Sequence, residues 1–263
     1  GGQSGSGGGA IQLIISDTIL IDGTITANGF LDLSYYSQGA GGSGGSIFIT
    51  SPQFSGSGII SANGAAGKGA WGYSAGSGGG GRVAIYSEDN TFNGFVEANG
   101  IGGSGEGTVA FIDTKNNLLT TGNYFRFQEE DNPISFTKIQ LKNCVAETKG
   151  KAQINSEIFD CSDSMLIMDP GSEFTHTTVN CHNTKILQKD TGDTLTAFIH
   201  PAKLRTSVLS SEQSEFVLAG PGSLSADTLT LTEGSILTTL PERKIELILD
   251  NLLIDSGSAI TAD

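Results

Sequence analysis

Short runs in which every second residue is apolar recur along the first half of this chain. Four such runs occupy residues 10–15, 46–50, 82–86 and 108–112. An alternation with a period of two, in short runs rich in β-branched residues, predicts β-strands with one buried face. No convincing helical pattern longer than about two turns occurs anywhere. The sequence therefore predicts an all-β protein.

The strand-like runs belong to a longer repeat. Ala-Asn-Gly closes three consecutive segments, with its asparagine at Asn28, Asn63 and Asn99, so the spacing is 35 and then 36 residues. A glycine cluster and then an alternating run precede the tripeptide in each segment. A fixed period of about 20–50 residues is typical of repeat architectures, in which neighbouring units stack to bury a shared core.

A second pattern, an acidic residue followed by a Gly-containing turn between two apolar stretches, occurs in both halves of the chain. Its instances begin at Asp22, Asp169, Glu233 and Asp255. The carboxylate accepts local backbone hydrogen bonds, and glycine adopts the positive φ that a sharp corner needs. Short strands joined by such corners predict a right-handed parallel β-helix (a β-solenoid), in which each coil lies about 4.8 Å from the previous one.

Glycine is the compositional outlier, with 38 residues of 263, and 30 of them precede Thr108. We therefore divide the chain into glycine-rich β-helical repeats at 1–115 and more regular coils of the same solenoid at 116–263. Three glycine-rich stretches are too long to be simple corners: 39–45, 64–81 and 100–107. They are either long loops projecting from the coils, or ordered extended segments that pack closely because glycine has no side chain.

The run GGGGRVAIY at 78–86, together with the returning Ala-Asn-Gly, resembles the glycine-rich β-helical repeat regions of very large secreted or cell-surface proteins, including adhesin-like ones. The resemblance covers residues 1–113 with a distinctive pattern and the remainder only through a general β-helix rhythm. It implies an extracellular or cell-surface location and a structural or adhesive role, and it brings no catalytic residues. The glycine clusters lack the regularly placed Asp of calcium-binding nonapeptide repeats.

The end of the chain repeats its beginning, because 245–263 reads IELILDNLLIDSGSAITAD and 11–29 reads IQLIISDTILIDGTITANG. We expect these residues to be one period, or one window, of a longer repetitive chain. Open strand edges template further pairing, and matching ends that stack head to tail extend into a filament. The predicted function is thus a structural, filament-forming segment whose partners are copies of itself or adjacent repeats. The predicted joining residues are Ile11, Leu13, Ile15, Ile245, Leu247 and Leu249.

An adhesive module is the alternative function. Lys68, Trp71 and Tyr73 interrupt the middle glycine-rich stretch, and exposed aromatic side chains stack on sugar rings. These residues would bind a glycan or a partner surface from a loop. In the competing interpretation, the two aromatic side chains pack against the solenoid.

The three cysteines have a spacing of their own. Cys144, Cys161 and Cys181 are 17 and 20 residues apart, close to one short coil. They are expected either to stack as buried neighbours or, for two of them, to pair, because the rise of one coil falls within the Cα separation that a disulfide tolerates. No CxxC or HxxxH spacing occurs, so we predict no metal site and no cofactor.

The net charge of the chain limits the kinds of partner that it is expected to bind. The formal net charge is −14, from 28 acidic and 14 basic residues. An acidic surface repels phosphate backbones and anionic headgroups, so nucleic acid is not an expected partner. No apolar run approaches the ~20 residues that cross a bilayer.

A polysaccharide-cleaving enzyme is the third hypothesis, and it rests on the densest acidic groups. These are residues 129–131 and the pair Asp160 and Asp163. A glycosidase needs two carboxylates about 5–10 Å apart across a cleft. A lyase-like site would also need Arg or Lys beside the acidic residues, and only Arg126 is close to the first group in the sequence. Solvated turns between strands are the competing interpretation. We predict that the chain is not an enzyme.

Overall fold

The computed structural model describes residues 5–31, 39–69, 75–188, 203–218, 223–239 and 246–262. These residues form an all-β structure with long parallel sheets, one 3-10 turn at Glu129–Asp131 and no α-helix. The chain divides into two compact units, unit 1 at residues 1–125 and unit 2 at residues 126–263.

Unit 1 contains three repeats that each contribute one strand to each of three sheets, in which these strands run parallel, and the chain that follows adds a fourth parallel strand to the first sheet. The first sheet contains β1 (Ala10–Ile14), β4 (Ser46–Thr50), β7 (Arg82–Ser87) and β10 (Thr108–Asp113). The second contains β2 (Thr18–Leu20), β5 (Gln53–Ser55) and β8 (Asp89–Asn90). The third contains β3 (Thr24–Thr26), β6 (Ile59–Ser61) and β9 (Phe95–Glu97). The predicted alternating runs thus coincide with the strands of the first sheet to within one residue.

In the first sheet, each residue of a strand pairs with one residue of the next strand, without bulges. Ile11, Ile47 and Val83 are Cα partners in consecutive strands, and Ile47 and Val83 belong to the core of the unit. Because side chains alternate between the two faces of a strand, partners in this register point to the same face. The period of 35 to 36 residues therefore produces columns of apolar side chains.

The glycine-rich segments are packed against each other by backbone hydrogen bonds. The N–H groups of Gly41 and Gly44 donate to the carbonyl oxygens of Gly76 and Gly79, both at 2.9 Å. One repeat earlier, Gly5 and Gly8 donate in the same way to the carbonyl oxygens of Ala40 and Ser43. A donor at every third residue matches the three-residue turn of polyproline II. In the described residues, these segments are the ordered, close-packed alternative and not projecting loops.

This packing requires glycine at particular positions. A Cβ placed on any of three equivalent glycines would overlap a carbonyl oxygen of the facing Ala-Asn-Gly segment: Gly8 with Ala27, Gly44 with Ala62 and Gly80 with Ala98. Gly76, in contrast, faces open space. The glycines thus fall into positions that meet a backbone and positions that meet solvent, which composition alone does not separate.

The last strand pair of unit 1 departs from the predicted all-parallel arrangement. β10 pairs in parallel with β7, but the next strand, β11 (Leu118–Gln128), returns antiparallel to β10. The Asp113 carboxylate accepts the N–H groups of Lys115 and Asn116 at 2.9 and 2.8 Å, and Asn117 has a φ of 55°. Asp and Asn favour such local bonds and tolerate the left-handed region, so the chain reverses here.

Unit 2 repeats with a different shape, a long strand followed by a short one. The long strands pair in parallel in the order β12 (Ile134–Lys149), β13 (Gln153–Ser162), β15 (Glu173–His182), β17 (Lys203–Glu212), β19 (Ser223–Thr232) and β21 (Glu246–Ile254). The short strands pair in the order β14 (Met165–Met168), β16 (Lys185–Gln188), β18 (Glu215–Leu218), β20 (Ile236–Thr239) and β22 (Ala259–Ile260). The long strands of unit 2 are therefore longer than the short strands that the acidic corners predicted.

The core of unit 2 is again a set of columns. Ile139, Phe159 and Val179 are register partners in consecutive long strands, and all three are buried. The rings of Phe159 and Phe174 meet edge to face with centroids 5.8 Å apart, a favourable aromatic geometry. Buried side chains that recur about every 20 residues therefore fill this core.

The corners of unit 2 do not all follow the expectation that a glycine supplies the positive φ at each corner. Gly171 and Gly234 do take positive φ, at 82° and 81°. Three corners between a long and a short strand instead place a residue other than glycine in the left-handed region, at Asp163, Asn183 and Gln213, and Asn143 takes the same conformation within β12. Asn and Asp tolerate that region because their short polar side chains bond locally.

The two classes of glycine give a direct test of the unit 1 packing. We expect Gly80→Ala to lower the free energy of unfolding by about 2–3 kcal/mol, because the facing backbone has to move to admit the new methyl group. Gly76→Ala should leave stability unchanged or raise it by about 0.4–1 kcal/mol, since it lowers the entropy of the unfolded chain. Urea unfolding of both variants measures the difference, and equal losses would contradict the packing described.

Candidate functional site

The first strands of unit 1 have a neighbour on one side only. β1, β2 and β3 pair with β4, β5 and β6, and no described strand covers their outer edges. Ile15 N–H donates to Thr50 and Gly9 accepts from Ser46, so the odd-numbered residues of β1 turn their backbone groups toward β4. In a parallel ladder the intervening residues point the other way. The N–H and C=O groups of Gln12 therefore face the open edge.

Apolar side chains remain uncovered on these first strands. Ile11 and Leu13 are half-buried, whereas Ile47 and Ile49, their register partners in β4, are buried. Ile14, on the opposite face of β1, is 70% exposed. Ile15, just beyond the strand, is half-buried. The predicted joining residues at this end therefore lie on an edge whose apolar side chains are only partly covered.

The last strands of unit 2 show the same feature. β21 pairs only with β19, and β22 only with β20, among the described strands. Leu252 and Ile254 are 49% and 37% exposed, whereas their partners Leu229 and Leu231 are completely buried. The predicted joining residues Leu247 and Leu249 lie on β21 and are half-buried, and Ile245 lies outside the described residues.

The two ends differ in local structure despite their similar sequences. β21 runs without interruption for nine residues. The matching region near the start is divided into β1 and β2 by a bend at Ser16 and Asp17. The Asp17 carbonyl accepts the Gln53 N–H at 3.1 Å, and the Ser51 hydroxyl at 2.9 Å. The bend thus follows from contacts with the next repeat, and among the described strands β21 has no equivalent neighbour on its outer side.

The predicted ligand loop is described only at its base. Lys68 is exposed and forms an antiparallel bridge with Gly39, with N–H to carbonyl distances of 3.0 and 3.1 Å. Trp71 and Tyr73 lie outside the described residues. Binding of a glycan through this loop stays a prediction.

The structure separates the three cysteines into two environments. Cys161 and Cys181 are register partners in adjacent long strands. Cys144 lies instead within β12, next to the left-handed residue Asn143, and its N–H donates to the Ser164 hydroxyl at 3.2 Å. All three are buried free thiols. Burial, and then the neighbouring Cys181 thiol, raise the pKa of Cys161 well above its ordinary value, so this thiol is protonated and unreactive at neutral pH.

A hydroxyl ladder at the unit 2 corners was not anticipated from the sequence. In four places a serine hydroxyl accepts the backbone N–H of the equivalent residue in the preceding repeat, at 3.1–3.2 Å. The serines whose hydroxyls accept these bonds are Ser164, Ser214, Ser235 and Ser258. The available signal was a polar residue followed by Cys, Ser or Thr at a period of 20 residues, as at 143–144, 163–164 and 183–184. These hydroxyls satisfy backbone donors that the turn removes from the strand ladder.

The acidic groups considered for catalysis each have structural partners. Glu129 accepts the Lys151 N–H at 3.1 Å, Asp160 pairs with the Lys138 ammonium at 2.5 Å, and Asp163 accepts from the Asn183 amide at 2.6 Å. Arg126, expected near the first cluster, instead donates through Nε and Nη2 to Oε1 of Glu147 at 2.8 and 2.6 Å. Glu129, Asp160 and Asp163 thus stabilise turns and strands through these contacts.

His176 is a buried polar residue in the core of unit 2. Its ring stacks on Phe159 with centroids 4.7 Å apart, and its Nδ1 lies 2.8 Å from the Ser156 hydroxyl. The Ser156 hydroxyl proton goes to the Ile158 carbonyl oxygen, so Nδ1 carries the proton of the neutral ring, and Nε2 has no partner. Burial lowers the pKa of His176 from 6.5 to about 3, because a charged ring would be desolvated.

No group of three or more His, Cys, Asp or Glu side chains in the described ranges is arranged to hold a metal ion. No described helix has the length and apolar character of a membrane span. No protein-family model, curated protein or solved structure matches the chain.

The pKa of His176 predicts acid sensitivity of unit 2. The unfolded chain takes up a proton near pH 6.5 and the folded one only near pH 3, so stability is complete above 6.5 and is lost as pH falls toward 3. Between pH 7 and 5 the loss from this group is about 2 kcal/mol. His176→Leu should remove that part of the pH dependence in urea unfolding. The exposed His182, changed to Gln, is the matched control, and identical pH profiles for wild type and His176→Leu would contradict the assignment.

Proposed function

We propose that this chain is a structural segment of an extracellular or cell-surface β-solenoid, whose open ends are joined by further coils. The joining coils come from copies of the chain or from adjacent repeats of a longer one. The observation that carries the proposal is the uncovered apolar surface on the outer strands, because Leu252 and Ile254 are exposed where their partners one rung inward are completely buried.

The architecture supports a right-handed parallel β-helix. In unit 1, each repeat places one strand in each of three parallel sheets, which is the arrangement expected of successive coils. Connections between parallel strands of one sheet are right-handed in about 98% of cases. We therefore assign that hand to the coils. The extracellular location is supported by the resemblance of the glycine-rich repeats to those of large surface proteins.

The chemistry of the open edges supports joining. A strand edge with free N–H and C=O groups is a template for another strand, and Gln12 presents both groups. Apolar surface removed from water contributes about 25 cal/mol per Å², so covering Leu13, Leu249 and Leu252 favours the joint. The two ends carry different surfaces, and such a heterologous contact continues into a filament instead of closing.

A substitution at the open edge tests this proposal. Gln12→Pro removes the outward-facing N–H and leaves the bonds from β1 to β4 in place, since proline is tolerated on edge strands. If copies of the chain stack, the wild type should form concentration-dependent assemblies of 27.1 kDa units, and Gln12→Pro should shift them to monomer. Gln12→Thr, which keeps the N–H, is the matched control. Light scattering after size exclusion and negative-stain microscopy measure the outcome.

Native material distinguishes the two sources of the joining coils. Filaments whose polypeptide has an intact mass of 27.1 kDa indicate stacked copies, and filaments from a much larger polypeptide indicate adjacent repeats. Isolated native particles without axial contacts would overturn the proposal.

A further inference from the structure

The Ala-Asn-Gly tripeptides of unit 1 form a ladder of asparagines. Asn63 N–H donates to the side-chain oxygen of Asn28 at 2.7 Å, and Asn99 N–H donates to that of Asn63 at 2.7 Å. At the end of the ladder the Asn99 oxygen accepts from the side-chain amide of Asn123 at 3.0 Å. Three identical tripeptides thus occupy equivalent positions with different neighbours.

An Asn-Gly pair is chemically reactive. The glycine N attacks Cγ of the asparagine side chain, the side-chain nitrogen leaves as ammonia, and a five-membered succinimide forms. Water then opens the ring at one of its two carbonyls and leaves aspartate or isoaspartate. Glycine favours the reaction because it has no Cβ to shield its nitrogen or restrict its backbone. The reaction therefore needs a free glycine N–H and a mobile asparagine side chain.

At Asn63 the backbone of the next repeat holds both reacting groups. Gly64 N–H donates to the Asn99 carbonyl at 2.9 Å, and the Asn63 oxygen accepts the Asn99 N–H. The Asn63 amide nitrogen also donates to the Glu97 carboxylate at 2.9 Å. Gly64 is buried, so opening this site requires separation of two repeats.

At Asn99 side chains replace those backbone partners. Gly100 N–H donates to the carboxylate of Glu106 at 3.0 Å, and Glu106 is exposed. The Asn99 oxygen is held by the Asn123 amide and not by a backbone N–H. Rotation of one exposed side chain therefore frees the attacking nitrogen, with no separation of strands.

We propose that Asn99 is a site of spontaneous deamidation in the folded chain, that the ladder protects Asn63, and that Glu106 is a positioning residue that slows the reaction at Asn99. The product bears a new negative charge close to Glu97 and Glu106, and isoaspartate also adds one carbon to the backbone path. Both changes fall at the last Ala-Asn-Gly rung of unit 1.

Peptide mass spectrometry of the whole chain, incubated at pH 8.5 with and without urea, tests the proposal. In the folded chain Asn99 should deamidate about tenfold faster than Asn63, since freeing it breaks side-chain bonds alone. In urea the two sites should react at similar rates, because the tripeptides are identical. Equal deamidation rates at the two sites in the folded chain would overturn the proposal that the ladder protects Asn63.

Variants of Glu106 test its role. Glu106→Ala should raise the folded-state rate at Asn99 about three- to tenfold, the effect of losing one hydrogen bond at an exposed position, and should leave the rate at Asn63 unchanged. Glu106→Gln keeps an acceptor for the Gly100 N–H and should stay within about twofold of wild type. If Glu106→Ala leaves the Asn99 rate unchanged, Glu106 has no positioning role and the proposal is wrong on that point.

Discussion

Backbone hydrogen bonding between consecutive repeats is the constraint on which the rest of this structure depends. A short strand cannot satisfy its own N–H and C=O groups, and it bonds to the equivalent strand of the next repeat in one-to-one register. Residues one period apart, such as Ile47 and Val83, therefore lie in one column. The neighbours of a position are set by the same position in the repeats before and after it.

The two units meet this constraint with different chemistry. In unit 1 the backbones approach so closely that Gly44 and its equivalents have no room for a side chain. In unit 2 longer strands carry the bonds, and the groups lost at each corner are recovered by hydroxyls such as Ser214 and Ser235. Glycine columns and hydroxyl columns are thus two ways to keep backbone donors satisfied in a stack.

Positions where a column ends have fewer partners than positions inside it. On the outer strands this leaves apolar surface and free backbone groups, which is the physical basis of the proposed joining. At the last Ala-Asn-Gly, side chains of Glu106 and Asn123 stand in for the backbone of a further repeat. Side-chain partners are more mobile than backbone partners, so reactivity follows from the same geometry as assembly.

The strands of the first sheet and their period could be predicted from the sequence, because alternation and spacing are properties of the linear chain. The sequence also placed the predicted joining residues Leu13 and Leu249 on outer strands. The tertiary structure decided the reversal after Asp113, the corners without glycine and the separation of Cys144 from Cys161. Each depends on which residue lies opposite in the next repeat, and register is a relation between distant segments. Composition and local pattern do not contain that relation.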